Sequence, residues 1–322
     1  MPRAESVAGA SVLVTGGCGF IGSHLVRQLL ARRAKRIVVL DSLRYGAASN
    51  LGELAARVEL VRFVLGSDPP DALAAPLEGI DYVFHLAAEK HNQSRGDPAG
   101  MLRSNVEGTY DILAAAAAAG VRKAVLASSL YVYGRLSGPP FREDETPCPM
   151  TVYGISKLCG EQLLAHFGAT TELRGNVLRY LFVYGPRQFA GTGYKSVIVT
   201  GCERLLAGEP PIVFGDGTQA LDYVYVDDAV EATIAALEVP VSGEVINVGS
   251  GRPTTVNELT DSLVAASGRA LAKVYGPADW TAGSWRVGDV RKAEVLLGWT
   301  ARTALADGVA RTFDWIARRR SP

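Results

Sequence analysis

The stretch Gly16-Gly17-Cys18-Gly19-Phe20-Ile21-Gly22 constrains this chain most, because of what stands on either side of it. Ahead lies the short apolar run Ser11-Val12-Leu13-Val14-Thr15, which reads as a buried strand. Behind it comes a helical pattern with Leu25, Val26, Leu29 and Leu30 on one face. A second apolar run follows, Ile37-Val38-Val39-Leu40, ending in Asp41. Strand, glycine turn, helix, strand and acid make one mononucleotide-binding half of a doubly wound sheet. Each glycine has a mechanical reason. Gly16 permits the tight turn, Gly19 lets backbone approach a pyrophosphate, and Gly22 lets helix pack on strand. Unpaired N–H groups at the helix start, where Phe20 and Ile21 stand, serve the phosphates. Asp41 lies about twenty residues on, where a carboxylate accepts from a ribose 2′-hydroxyl and repels a 2′-phosphate. NAD is therefore expected over NADP, with Arg44 as the residue that would reverse the choice.

Further strands are expected at residues 59–65, 81–86 and 123–128, alternating with helices. The alanine-rich 114–119 belongs to a helix running from about Leu102 and ended by Gly120. Such alternation argues a parallel sheet with right-handed crossovers. After Gly134, Gly138-Pro139-Pro140 and Thr146-Pro147-Cys148-Pro149 bracket acidic residues, as in a long functional loop. Residues 174–183 read as another strand, closed by Tyr184-Gly185-Pro186-Arg187. Beyond it the pattern is less regular, with short strands at 224–226 and 244–248 and helices near 256–266 and 304–317. With 322 residues to place, the expected fold is α/β: a doubly wound parallel (Rossmann) sheet with a smaller α+β C-terminal substrate domain. Residues 1–185 and 222–249 would form the NAD-binding domain, and 186–221 and 250–322 the substrate-binding domain.

The chemistry is carried by Tyr153-Gly154-Ile155-Ser156-Lys157, read with Ser128-Ser129. Residues four apart share a helix face, so the Tyr153 hydroxyl and the Lys157 ammonium reach one pocket. A cation beside a phenol favours the phenolate, which is expected to bring the tyrosine pKa down from about 10 towards working pH. A tyrosine so tuned removes a proton from a substrate alcohol while a hydride leaves the same carbon.

Composition excludes several alternatives. The 33 basic and 33 acidic residues cancel, giving none of the basic face that nucleic-acid binding needs. Arg318-Arg319-Arg320 reads as a solvated helix end. The cysteines Cys18, Cys148, Cys159 and Cys202 show no metal-ligand spacing and no disulfide framework. No metal site is expected, and a reducing, cytoplasmic compartment is. No run approaches the ~18 apolar residues of a membrane span, and no signal-peptide pattern opens the sequence.

Taken together, these motifs resemble the extended short-chain dehydrogenases, in particular their nucleotide-sugar epimerase and dehydratase group. Matching segments are residues 15–22, His85-Leu86-Ala87-Ala88, Ser128-Ser129 with Val132-Tyr133-Gly134, and Tyr153 with Lys157. Arg179-Tyr180, Val183-Tyr184-Gly185-Pro186, Tyr225-Val226-Asp227-Asp228, 247–251 and 296–299 match as well. The resemblance implies a tightly held NAD, Tyr153 as base and acid, and Lys157 also bonding the nicotinamide ribose. It implies Ser129 on the reacting sugar oxygen with Ser128 as runner-up, Leu86, Ala87 and Ala88 as backbone along the cofactor, and Tyr180 near the nicotinamide. His85 reads as packed, while His91 and Asn92 follow the cofactor strand towards substrate. Asp68 would replace an adenine-contacting aspartate that is usual one position earlier.

Family members that eliminate water or decarboxylate carry an acid just after the catalytic Ser/Thr. Here those positions are Leu130 and Tyr131, so epimerisation at C4 of a nucleotide-linked sugar is the first reading. Two alternatives stay open: a dehydrogenase or dehydratase on a modified sugar or cyclitol without the usual diphosphate, and a non-catalytic NAD-sensing protein. Phe182 and Leu221 replace the Asn and Arg that hold the diphosphate in the family, and the loop before Asp97-Pro98 is one residue short. Arg187, Lys195 and Arg286 are the cations that would take over the phosphates. The small-molecule substrate is the expected partner, and a homodimer packed through the helices after Leu102 and Tyr153 the expected assembly.

Overall fold

Seven parallel strands build the central sheet in a computed structural model, which describes residues 5–91, 96–134, 138–188, 195–278 and 281–320. The first part of the chain runs β1 (Ser11–Thr15), α1 (Phe20–Ala31), β2 (Arg36–Asp41), β3 (Glu59–Arg62), α2 (Ala74–Leu77) and β4 (Tyr82–His85). It continues through α3 (Pro98–Leu102), α4 (Gly108–Ala118), β5 (Lys123–Ser129), α5 (Val152–Thr170) and β6 (Arg174–Tyr180). Next come β7 (Phe182–Tyr184), α6 (Val197–Leu206), β8 (Ile212–Phe214), β9 (Ala220–Leu221), β10 (Tyr223–Tyr225), α7 (Val226–Glu238) and β11 (Val245–Val248). Last are β12 (Thr254–Thr255), α8 (Val256–Ser267), β13 (Val274–Gly276), β14 (Trp285–Arg286), α9 (Arg291–Leu297) and α10 (Leu305–Arg320).

The strand order is β11-β6-β5-β4-β1-β2-β3. The chain leaves β1 towards β3, then returns to β4 on the other side and proceeds outward. That reversal makes the carboxyl ends of β1 and β4 the crevice where an open α/β sheet receives its ligand. Thr15 pairs with Leu40 on one side and His85 on the other, so the glycine turn, Asp41 and Leu86-Ala87 arrive at one level. Alternation along β1 sends Val12 and Val14 into a core with Leu25, Val26 and Val39, while Leu13 packs with Val38, Leu40, Ile112 and Leu126 on the opposite face.

The remaining elements gather a second core, in which Ile198, Val199 and Cys202 meet Leu259, Leu263, Val309 and Phe313. Two differences from the sequence reading matter for the site. The strand expected over 174–183 breaks at Leu181, whose N–H goes to Val248 O while that of Phe182 goes to Asp222 O. The chain thus steps off the main sheet, and β7 pairs with β10. The helix expected from Leu102 is likewise interrupted by a π-helical turn at Arg103–Glu107. Val226, expected to end a strand, begins α7. Among the described residues no helix is long and apolar enough to cross a membrane.

Gly22 carries the tightest constraint of the turn: a Cβ there would lie 2.1 Å from Gly16 O. Gly22→Ala is expected to lower unfolding stability by about 2–3 kcal/mol, the cost of forcing atoms into a packed site. Denaturant unfolding checks this; an unchanged midpoint would contradict it.

Candidate active site

Helix α5 is pressed onto the end of β5. The Thr151 hydroxyl caps the helix by accepting from Gly154 N at 3.0 Å. A Cβ at Gly154 would meet Tyr131 O at 2.4 Å, so glycine is what permits this close approach. One turn on, the Lys157 ammonium is buried and donates to Ala127 O at 2.9 Å. Tyr153 and Lys157 share a face as their spacing requires, with the Lys157 Nζ 5.9 Å from the Tyr153 ring centroid. Ser129, at the end of β5, accepts from Tyr131 N at 3.3 Å and stands close enough to Tyr153 to act on its proton affinity. Ser129, Tyr153 and Lys157 line one cavity of about 610 Å³, whose other end is formed by the glycine turn and Asp41.

The expected fall in the Tyr153 pKa is corrected. Burial pushes it up to about 12 and the nearby Tyr131 adds to this, while the Ser129 hydroxyl only partly offsets them. Burial also pushes Lys157 down to about 8, against the opposing field of Glu161. Spacing alone could not disclose how completely burial outweighs the neighbouring cation. Buried His85 sits between the hydroxyls of Thr15 (2.8 Å) and Thr109 (3.0 Å), and burial with the Lys157 charge pushes it down to about 3. It is a neutral, packed histidine.

At the other end, Asp41 is held by two backbone donors: Cys18 N at 2.9 Å on Oδ2 and Leu43 N at 2.8 Å on Oδ1. Leu43 adopts φ 59° to make its contact, and Arg187, on the cavity wall, adopts φ 67°. Such left-handed residues cost of order 1–3 kcal/mol and concentrate at functional sites. Phe20, Ile21, Leu86, Ala87, Ala88 and Arg187 line the cavity with the glycines. Tyr180 also lines it, but its hydroxyl turns into the core to Thr233 at 2.6 Å. The Ser128 hydroxyl is given to Glu161 at 2.5 Å, and Glu161 in turn holds buried Arg179.

Asp68 is not brought to this cavity: its carboxylate accepts from Val64 N at 2.8 Å and lines a separate hollow, leaving Ser67 on the wall. Lys195 lies off the wall, bound to both Glu203 oxygens at 2.8 and 2.7 Å. Arg286 also lies off it, in register beside Leu221 on the neighbouring strand. His91 stacks on Tyr131 at 4.5 Å and lies 6.2 Å from the Tyr153 ring, whereas Asn92 is outside the described residues. Sequence reading missed Asn105, in the π-helical turn. It brackets the Glu89 backbone (Oδ1 from Glu89 N at 2.7 Å, Nδ2 to Glu89 O at 3.0 Å) and reaches Ser156 Oγ at 3.1 Å. No local pattern marks such a residue, because its partners are distant in sequence.

Residues 12–249 match the NAD dependent epimerase/dehydratase family. The chain belongs to this family. It is 35% identical to a UDP-glucose 4-epimerase of Mycolicibacterium smegmatis, over 95% of this chain and 98% of the relative. It superposes on a UDP-glucose 4-epimerase of Thermotoga maritima crystallised with UDP-glucose (TM-score 0.89, 35% identity, 96% and 99% of the two chains). It also superposes on a UDP-glucuronic acid 4-epimerase of Bacillus cereus in complex with UDP-glucuronic acid and NAD (TM-score 0.84, 31% identity, 96% and 99%).

The dinucleotide in the family's name fits the residues present. Helix α1 follows Gly19, which offers no side-chain cap, and has no acid in its first turn, leaving its N–H groups for an anion. The fixed Asp41 carboxylate stands at the same cavity for a ribose. In protein stripped of nucleotide, the tyrosinate absorbance of wild type minus Tyr153→Phe is expected to stay flat up to about pH 10, the ordinary tyrosine value. A difference signal emerging near pH 7 would contradict the raised Tyr153 pKa.

Proposed function

We propose that this epimerase-family chain inverts C4 of a nucleotide-linked sugar through a transient 4-keto sugar, using Ser129, Tyr153 and Lys157. The observation that carries the reading is that Ser129, Tyr153 and Lys157 line one cavity at the end of β5, with the Lys157 ammonium 5.9 Å from the Tyr153 ring centroid. Bound NAD supplies a hydride acceptor that returns the same hydride, together with a positive charge on its oxidised ring. Tyr153 takes the proton of the C4 hydroxyl as the alcohol becomes a ketone. It returns that proton once the sugar has presented its other face. Ser129 holds the reacting oxygen throughout. With a pKa near 8, Lys157 is cationic at neutral pH, and its charge favours the phenolate that Tyr153 needs.

Water elimination would need a further acid. Among the described residues lining the cavity the carboxylates are Asp41, Glu89 and Asp97, and each is already held. Asp41 accepts from backbone N–H groups, Glu89 pairs with Arg44, and Asp97 caps Gly100 N. The residues after Ser129 are Leu130 and Tyr131, which favours epimerisation over dehydration. For the sugar-nucleotide phosphates we assign Arg187, which lines the cavity, and Arg286, which lies beside Leu221. The ion pair of Lys195 with Glu203 argues against Lys195.

The same reading assigns residues 1–185 and 222–249 to cofactor and 186–221 and 250–322 to substrate, in line with β11 joining the main sheet and α6, α8 and α10 sharing a core. We take the assembly to be a homodimer through α4 and α5, where Tyr110 and Ile155 are exposed, and the compartment to be the cytoplasm, in keeping with four unpaired cysteines. Tyr153→Phe is expected to keep NAD bound and to lose at least about 10²–10⁴-fold in rate, the usual worth of a positioned acid–base group. A panel of nucleotide sugars followed by NMR and mass spectrometry checks this, with a mass-neutral isomer as the wild-type product. Near-normal turnover by the variant would remove Tyr153 from the mechanism.

A further inference from the structure

We propose that Glu89 is a cofactor-specificity residue: by holding Arg44 across the glycine turn, it withholds that cation from a 2′-phosphate and so excludes NADP. The inference rests on the reading of the cavity as a dinucleotide site. An arginine close behind the acid that ends the second strand is the residue that would accommodate a 2′-phosphate. Arg44 stands there, three residues after Asp41, and its side chain is 61% exposed. In the structure its Nη1 lies 3.0 Å from Glu89 Oε1. Strands β2 and β4 flank β1, so a contact between residue 44 and residue 89 passes over the carboxyl end of β1 and the turn beyond it.

An exposed ion pair is worth about 0–1 kcal/mol and would not by itself resist a doubly charged phosphate. Glu89, however, is not a loose surface acid. Its side chain is 13% exposed, and its backbone is held on both sides by the amide of Asn105. Asn105 also donates to Ser156 Oγ, and Ser156 donates to Tyr153 O at 2.8 Å, which anchors Glu89 to the helix carrying Tyr153. Glu89 Oε2 is buried and has no hydrogen-bond partner among the described residues.

Drawing Arg44 away would leave both oxygens of this largely covered carboxylate without a hydrogen bond among the described residues, facing only the charge of the neighbouring Lys90, which is an unfavourable way to break such a pair. The two held carboxylates, Asp41 and Glu89, also repel a phosphate entering beside them. Glutamine at position 89 would free Arg44 and remove one of the two repelling charges, leaving that of Asp41. The backbone bonds to Asn105 would remain, because they do not involve the side chain.

The test is competitive loading of the full-length protein. Wild type, Glu89→Gln and the double variant Arg44→Ala with Glu89→Gln are each equilibrated with equimolar NAD and NADP. The retained nucleotides are then released by acid and quantified by chromatography. Wild type is expected to retain NAD almost exclusively. Glu89→Gln is expected to raise the NADP:NAD ratio by about tenfold or more, the equivalent of one charge-assisted Arg–phosphate contact. The double variant is expected to fall back towards wild type, since the cation is gone. A normal NAD load with an unchanged ratio in Glu89→Gln overturns the assignment. So does a raised ratio that persists in the double variant, which would make the effect independent of Arg44. Retention of neither nucleotide by wild type would overturn the cofactor reading itself, and this inference with it.

Discussion

A buried ammonium must find an acceptor, and in this chain Lys157 finds the carbonyl of Ala127 near the end of the central strand β5. That bond fixes the angle and height at which α5 meets the sheet. Once it is made, Tyr153 one turn earlier lands beside Ser129, and Gly154 lies against the carbonyl of Tyr131. The same contact keeps the cation close to the phenol ring without a direct bond between them. Proton affinity in the site is therefore set by burial, which raises Tyr153 and lowers Lys157, by the neighbouring Tyr131, by the Ser129 hydroxyl, and by the field of Glu161.

Cofactor-side and catalytic elements are mechanically joined. The network from Glu89 through Asn105 and Ser156 to the Tyr153 carbonyl crosses from the loop after β4 to the first turn of α5. Asn105 can make these bonds because the helix before α4 takes a π-helical turn at that point, a local irregularity that often accompanies a site. Beneath it, Ser128, Glu161 and Arg179 form a buried chain in which Arg179 Nη1 has no hydrogen-bond partner among the described residues. A buried pair of this kind adds little net stability, but losing one partner would strand the other charge under the active site.

The nucleotide half was legible in the sequence because its signals are local: glycines at a forced turn, apolar runs of strand length, an acid at the end of β2. Tyr153 and Lys157 were legible for the same reason, since a spacing of four fixes a shared helix face. What escaped depends on contacts between distant segments. Burial reversed the expected direction of the Tyr153 pKa. Asp68 turned back onto its own loop, Lys195 was taken by Glu203, and the Tyr180 hydroxyl found Thr233 in the core. Helices α6 and α7 went unread although Ile198, Val199, Cys202 and Leu205, and Val226, Val230, Ile234 and Leu237, recur at helical spacing. Arg44 is the clearest case, since its role turns on an acid 45 residues away.

The central claim is that the hydrogen at the inverted carbon leaves as hydride and comes back as the same hydride, while Tyr153 handles the hydroxyl proton alone. The most direct measurement uses a nucleotide sugar deuterated at C4 and turned over in ordinary water, with the product examined by NMR and mass spectrometry. Full retention of deuterium at C4 in the inverted product is expected. Loss of the label to solvent would mean that the carbon is deprotonated instead, and would contradict the account.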